Sequence, residues 1–156
     1  MDDREFRTAM GRFATGITVV TSLQDNQPRG MTANAFMSVS LNPKLVLVSI
    51  SNRAKMNACI QQTGRYGVSV LAESQKEVAM TFAGQLSNAR SPEFAWMDGL
   101  PVLSGSLVTL ACNVVDAHPA GDHTLFIGEV TSLNIQSGQP LLFFSGQYSQ
   151  LPVFAG

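Results

Sequence analysis

His123 stands in Gly121-Asp122-His123-Thr124-Leu125-Phe126-Ile127-Gly128-Glu129-Val130, where a tight Gly-Asp turn runs into a strongly β-patterned strand. It is one of 2 histidines in the 156-residue chain. A planar, polarisable ring held at a turn beside a strand suits a cofactor or substrate site. The plainer reading is a strand-start histidine satisfied by backbone. In Arg29-Gly30-Met31-Thr32-Ala33-Asn34-Ala35-Phe36, small and hydroxyl side chains interrupt a β pattern. That is what a strand needs where its backbone comes close to a flat ligand. A hairpin strand with ordinary outward polar residues would look the same. Ser49, Ser51, Asn52 and Lys55 close an apolar run and open a helix. A helix start with hydroxyls and a Lys is a natural phosphate site. Plain capping of that helix by Ser51 or Asn52 would use the same residues, and both can hold at once.

Periodicity supplies the elements that must position these residues. Asp3 caps a first helix on which Phe6, Met10 and Phe13 recur at helical spacing, with Gly11 and Gly16 loosening its end. The period then changes, and residues 16–23 alternate as a strand. Residues 24–28 form a polar hairpin loop, 29–33 the next strand, and 38–41 another after a break. Asn42-Pro43 turns the chain into residues 45–51, whose apolar run reads as an interior strand. Residues 53–62 form a short helix ended by Gly64, and 66–71 a strand. Residues 74–82 form a second inserted helix, with Ser74 as cap and Glu77 in the capping-box position. Residues 84–101, containing Pro92 and Trp96, are a long loop of the kind that is often functional. Two long strands, 107–117 and 123–135, flank a turn at 118–122. A last strand covers 139–145, and 147–156 is a tail.

The pattern is mainly β with inserted helices. Hairpin-joined strands favour an antiparallel Greek-key barrel over a doubly wound sheet. No GxGxxG follows the first strand, which removes the usual dinucleotide-fold signal. The length fits a single domain over 1–156, with its N-terminal helix within 1–15.

Only 13% of residues are charged, about half the usual share. So few charges leave a small domain short of solvated surface, as burial in a homo-oligomer would explain; a surface rich in Ser, Thr, Gln and Asn explains it equally. The net charge is −1 with no basic run, which argues against nucleic acid and anionic membrane as partners. The acidic-leaning N-terminus is not followed by an apolar stretch, so no signal peptide is expected, and Leu45-Val46-Leu47-Val48 is too short to span a bilayer. Cys59 and Cys112 lack zinc-site spacing, and the 2 histidines make a poor ligand set; buried free thiols in a cytoplasmic protein and no metal are expected. Met31, Met37, Met56 and Met80 read as core or interface filler.

Taken in order, several segments resemble one family, the flavin reductases of the FMN-binding split-barrel type. They are Gly16-Ile17-Thr18-Val19-Val20-Thr21, the run from Gly30-Met31-Thr32 through Leu41-Asn42-Pro43, and Leu45-Val46-Leu47-Val48-Ser49-Ile50. Gly67-Val68-Ser69-Val70-Leu71, Phe82-Ala83-Gly84, Gly99-Leu100-Pro101-Val102-Leu103 and Gly121-Asp122-His123 continue the series. The resemblance covers nearly the whole chain. It implies an antiparallel Greek-key split β-barrel, commonly a homodimer with the flavin near the subunit interface. It further implies FMN or FAD reduced by NADH or NADPH, with reduced flavin passed to a partner monooxygenase.

On that resemblance Thr32, Ala33, Asn34 and Ala35 run along the isoalloxazine and ribityl chain, and Ser49, Ser51, Asn52 and Lys55 hold phosphate. Many relatives carry Ser or Thr shortly after the Lys; Met56-Asn57 stands here, and Asn57 is the substitute donor. Phe82 and Ala83 match a loop beside the flavin, though a core Phe and a Gly C-cap would read alike. Gly121, Asp122 and His123 match the nicotinamide side, where His123 positions or hydrogen-bonds the pyridine nucleotide and Asp122 shapes the turn. Hydride transfer needs no general base there. Tyr148 matches an aromatic near the site or the dimer contact. His118 reads as exposed. Fold does not choose between a reductase of diffusible flavin, a non-catalytic flavin or electron carrier, and a fixed-flavin reductase of another small acceptor. The Gly-Asp-His turn favours a nicotinamide-using enzyme.

Overall fold

Short two-residue turns organise this chain more than the sequence pattern foretells. The computed structural model describes residues 1–88 and 90–153. Helix α1 (Asp3–Met10) is capped by Asp2 and not Asp3: the extended Asp2 accepts a hydrogen bond from the Glu5 amide at 2.7 Å. Its Phe6 and Met10, with Phe13 beyond it, stay exposed. Strand β1 (Thr15–Gly16) precedes β2 (Thr18–Gln24) and β3 (Gln27–Ala33). Asp25 and Asn26 both take positive φ, as a type I′ turn requires, so the expected five-residue loop shrinks to two. Strands β4 (Phe36–Leu41) and β5 (Lys44–Ser51) flank a cis Asn42-Pro43 bond.

Helix α2 (Lys55–Thr63) starts two residues later than the pattern predicts and ends at Gly64, whose φ of +67° lets its N–H reach the Ile60 carbonyl at 2.8 Å. After β6 (Arg65–Val70) comes a 3₁₀ turn (Glu73–Gln75) and then α3 (Lys76–Phe82). Ser74 lies inside that turn instead of capping a helix, and the Gln75 side chain accepts from the Ala72 amide at 2.9 Å. The predicted long loop contains a hairpin, β7 (Phe94–Met97) and β8 (Leu100–Leu103), turning at Asp98-Gly99 with both φ positive. Asp-Gly between apolar runs is the hairpin signal, and the prolines on either side masked it.

Strands β9 (Val108–Ala120) and β10 (His123–Ile135) meet across Gly121-Asp122 alone. Strand β11 (Leu141–Phe144) pairs with β12 (Gln147–Gln150), so the segment expected as a tail begins as a strand. Its last residues, 154–156, lie outside the described residues.

All of these pairings are antiparallel, and the main sheet runs β3-β2-β6-β9-β10-β5-β4. Residues from all seven strands meet in one core around Val20, Val48, Ile50, Tyr66, Val68, Cys112 and Phe126, so the sheet closes on itself as a barrel. Met56, Cys59 and Ile60 of α2 plug it. The barrel is split where its edge strands meet, because β3 and β4 are joined only by Asn34-Ala35. A second core around Ile17, Val19, Leu71, Leu103 and Leu141 seats α3 and the small sheet β1-β11-β12. Among the described residues no helix is long and apolar enough to cross a membrane.

Candidate functional site

Strand β5 alternates, with Val46, Val48 and Ile50 in the core and Ser49 and Ser51 half-buried on the opposite face. In the pairing with β10, Ser51 stands opposite His123 and Ser49 opposite Leu125. The two serines and His123 therefore share the barrel's outer face. Strand β4 pairs with β5 only as far as Val48. Beyond it Asn34-Ala35 takes over: the Ser49 amide donates to the Ala35 carbonyl at 3.1 Å, and the Phe36 amide to the Asn34 carbonyl at 2.9 Å. Asn34 and Ala35 are exposed. A strip from the split across two serines to a histidine is thus assembled by backbone pairing alone.

The His123 side chain is 42% exposed, and its Nδ1 lies 2.7 Å from the Asp122 carboxylate. The hydrogen bond from His123, and then its charge, hold the Asp122 carboxyl below its ordinary value. An ionised carboxylate only accepts, so Nδ1 carries the proton and Nε2 is left for a ligand. Gly121 supplies the positive φ, +60°, that the hairpin turn needs at its first central position.

Beside this turn, the Asn52 amide donates to the Asp122 carbonyl at 2.9 Å, and the Arg53 amide to the Ser51 hydroxyl at 3.3 Å. Neither Ser51 nor Asn52 caps α2; Ala54 stands at its start with no side-chain cap. The Lys55 and Met56 amides that open α2 have no side-chain cap and lie next to exposed Asn52 and Lys55, while the Asn57 amide donates to the Ala54 carbonyl at 3.1 Å. This donor set fits a phosphate, and the corner of small residues at Asn34-Ala35 fits the close approach of a flat ring. Asn57 departs from the role expected for it. It is 2% exposed, and its Nδ2 donates to the carbonyls of Ile50 and Ser51 and to Asn52 Oδ1 at 3.3 to 3.4 Å. Its Oδ1 accepts from Gln61 at 2.5 Å. Asn57 supports the turn from beneath and offers no donor to a ligand.

Thr32 also differs. Its hydroxyl donates to the Ala79 carbonyl of α3 at 2.6 Å, and Thr18 donates to the Ala33 carbonyl at 2.7 Å. Both bonds anchor the strand leading into the split. Phe82 packs on Gly30, where an added Cβ would lie 2.5 Å from the ring, and tilts against Phe94 at 6.0 Å between centroids. A cleft of about 480 Å³ opens there, lined by Arg29, Gly30, Phe82, Ser91, Pro92 and Phe94, while Ala83 is exposed at the helix end. Tyr148 packs edge-on to Phe143, and its hydroxyl donates to Gln85 at 3.2 Å, holding the loop after Ala83. The backbone bonds join Ala35, Ser49, Ser51, Asn52 and His123; Phe82, Ala83 and Tyr148 belong to the α3 side.

Sequence reasoning passed over Thr124, whose buried hydroxyl donates to Asn52 Oδ1 at 2.7 Å, and Phe94, the partner of Phe82. The signal for Thr124 was a lone hydroxyl on the inward phase of an apolar strand.

A family profile described as Flavin reductase like domain matches residues 10–152. An NADH-dependent flavin reductase of a Rhodococcus species is 51% identical over 148 residues, covering 93% of this chain and 84% of the relative. The flavin-dependent monooxygenase reductase subunit HsaB of Rhodococcus jostii is 38% identical, covering 96% of this chain and 78% of that one. Among solved structures, flavin reductase PheA2 in its native state superimposes with a TM-score of 0.96 at 56% identity, covering 98% of this chain and all of that one.

Proposed function

The chain belongs to the flavin reductase-like domain family, and on that premise we propose how its residues carry the reaction. It is an NAD(P)H-dependent flavin oxidoreductase acting on FMN or FAD. The hydride transfer is chemistry that the nicotinamide and flavin supply when bound; the protein must stack, orient and shield them.

Ser51, Asn52, Lys55 and the uncapped start of α2 hold the flavin phosphate. Asn34, Ala35 and Ser49 follow the ring and ribityl chain along the split, and Thr32 and Ala33 hold that corner rigid through their bonds to α3 and β2. Phe82 and Ala83 wall the far side, steadied by Tyr148. His123 meets the nicotinamide, with Gly121 and Asp122 fixing its turn. The observation that carries this reading is the hydrogen bond from the Asn52 amide to the Asp122 carbonyl. It ties the anion-binding turn to the histidine turn, so two nucleotides can share one strip.

Reduced flavin passes to a partner monooxygenase, as the name of the HsaB relative supports. A homodimer is supported by exposed Met37, Val39 and Leu41 on the edge strand β4, and by Leu133 and Ile135 on β10. NADH is the better supported donor, since the 51% identical relative is named for it. Buried free thiols at Cys59 and Cys112 support a cytoplasmic setting.

The test is oxidation of NADH and NADPH by purified protein with and without added FMN or FAD. Turnover that saturates with added flavin is expected. Stoichiometric yellow flavin with no turnover would replace this reading with that of a flavin carrier.

A further inference from the structure

The amides beneath the 51–55 turn form a polarised chain whose direction is set by backbone. The carbonyls of Ile50 and Ser51 accept only, so the atom of Asn57 facing both must be its Nδ2. The same Nδ2 donates to Asn52, which fixes the inward atom of Asn52 as Oδ1. Thr124, from β10, donates to that same Oδ1 at 2.7 Å. Gln61 closes the other end by donating to Asn57 Oδ1. Asn52 itself is exposed, and among the described residues no acceptor takes its Nδ2. With two donors on its Oδ1, its NH₂ group is left for an outside acceptor, on an exposed residue just ahead of the uncapped start of α2.

We propose that Thr124 and Asn57 are positioning residues that orient the Asn52 amide as a ready donor to the flavin phosphate. Neither touches the ligand. Each removes a freedom that Asn52 would otherwise have: an unrestrained amide could present its oxygen, which repels a phosphate oxygen, as readily as its NH₂ group. The inference rests on the reading of the 51–55 turn as the phosphate site and adds how that site is preset. It also explains why Asn57 stands after the Lys and is buried there.

The test compares FMN with riboflavin, which lacks the phosphate, by flavin fluorescence titration of the full chain. Thr124→Val keeps the shape of the side chain and removes its donor; Thr124→Ser keeps the donor. Thr124→Val should weaken FMN by about tenfold, the effect of one charge-assisted bond, and leave riboflavin unchanged. Thr124→Ser should restore FMN binding. Melting temperature measured on the same samples keeps loosening of the fold apart from loss of orientation, and only loss of orientation separates the two flavins. Lys55→Met serves as the reference for the phosphate site. If Lys55→Met selects against FMN but Thr124→Val weakens both flavins equally or neither, the positioning role is overturned and the phosphate site stands. If Lys55→Met does not discriminate either, the phosphate reading falls and takes this inference with it.

Discussion

Asp122 ends a two-residue turn and His123 opens the strand that follows, and among the described residues the ring's one hydrogen bond is to Asp122. Removing the ring should therefore act on the nicotinamide alone. His123→Ala is expected to raise the nicotinamide KM by about tenfold or more while flavin affinity stays within twofold, as loss of one or two ligand contacts implies. Steady-state kinetics beside a flavin titration decides it; lost flavin binding with unchanged nicotinamide dependence would reverse the two assignments. Gly30 offers a different kind of residue test. Its backbone is not in the left-handed region, so alanine is tolerated locally, but the new Cβ would meet the Phe82 ring at 2.5 Å. Gly30→Ala should cost about 1–3 kcal/mol in denaturant unfolding through displaced packing, and should weaken flavin binding as the wall moves.

At the scale of elements, strand β8 is buried against the barrel, where the Leu103 amide donates to the Ser69 hydroxyl at 3.0 Å, and the turn at Asp98-Gly99 ties down the hairpin's tip. The Asp98 carboxylate accepts from the Ser132 and Thr131 hydroxyls of β10, and Arg65 donates to the Asp98 carbonyl at 2.7 Å. The bonds from Ser132 and then Thr131 hold the Asp98 carboxyl below its ordinary value. A depressed folded-state pKa contributes stability that is present above the unfolded value, about 4, and is lost as pH falls through the depressed one. The tip of the hairpin should thus stay fastened from neutrality to about pH 4 and loosen below it. Trp96, the 1 tryptophan of the chain, lies on β7 and reports this directly. Its fluorescence should shift in acid before the global unfolding signal, and Asp98→Ala should show the acid-like spectrum at neutral pH. A fluorescence trace that follows only global unfolding would count against the clamp.

For the whole molecule, the surface is the open question that composition raised. Only 13% of residues are charged, and Leu41, 87% exposed, lies on an edge strand beside exposed Met37 and Val39. An apolar edge left bare invites pairing. Light scattering should give twice the chain mass, and Leu41→Glu should shift the protein toward monomer. If the strip at the split is completed by the second copy, flavin affinity should fall with dissociation. A monomer of full flavin affinity would refute the dimer proposal.

What the sequence determined by itself was local. The apolar run in 45–51 and the β pattern of 123–135 made strands of these segments and put His123 at a strand start. Gly64 ended a helix because only a residue at ease with positive φ can turn there. The run of family segments named the fold and the reaction, though no single motif did. Turn lengths and helix starts were misread, since Asp25-Asn26 and Asp98-Gly99 turn in two residues where polar and proline-flanked stretches look like longer loops. Only the tertiary structure decided which polar side chains are engaged within the fold. Thr32, Asn57 and Thr124 carry the same kinds of polar groups as Asn34, Ser51 and Asn52. The first three are engaged by carbonyls and amides from elements up to 72 residues away, and the last three line the strip. A hydrogen-bonding group seeks whichever partner the fold brings near, and burial makes that choice binding because an unsatisfied polar atom away from water is costly.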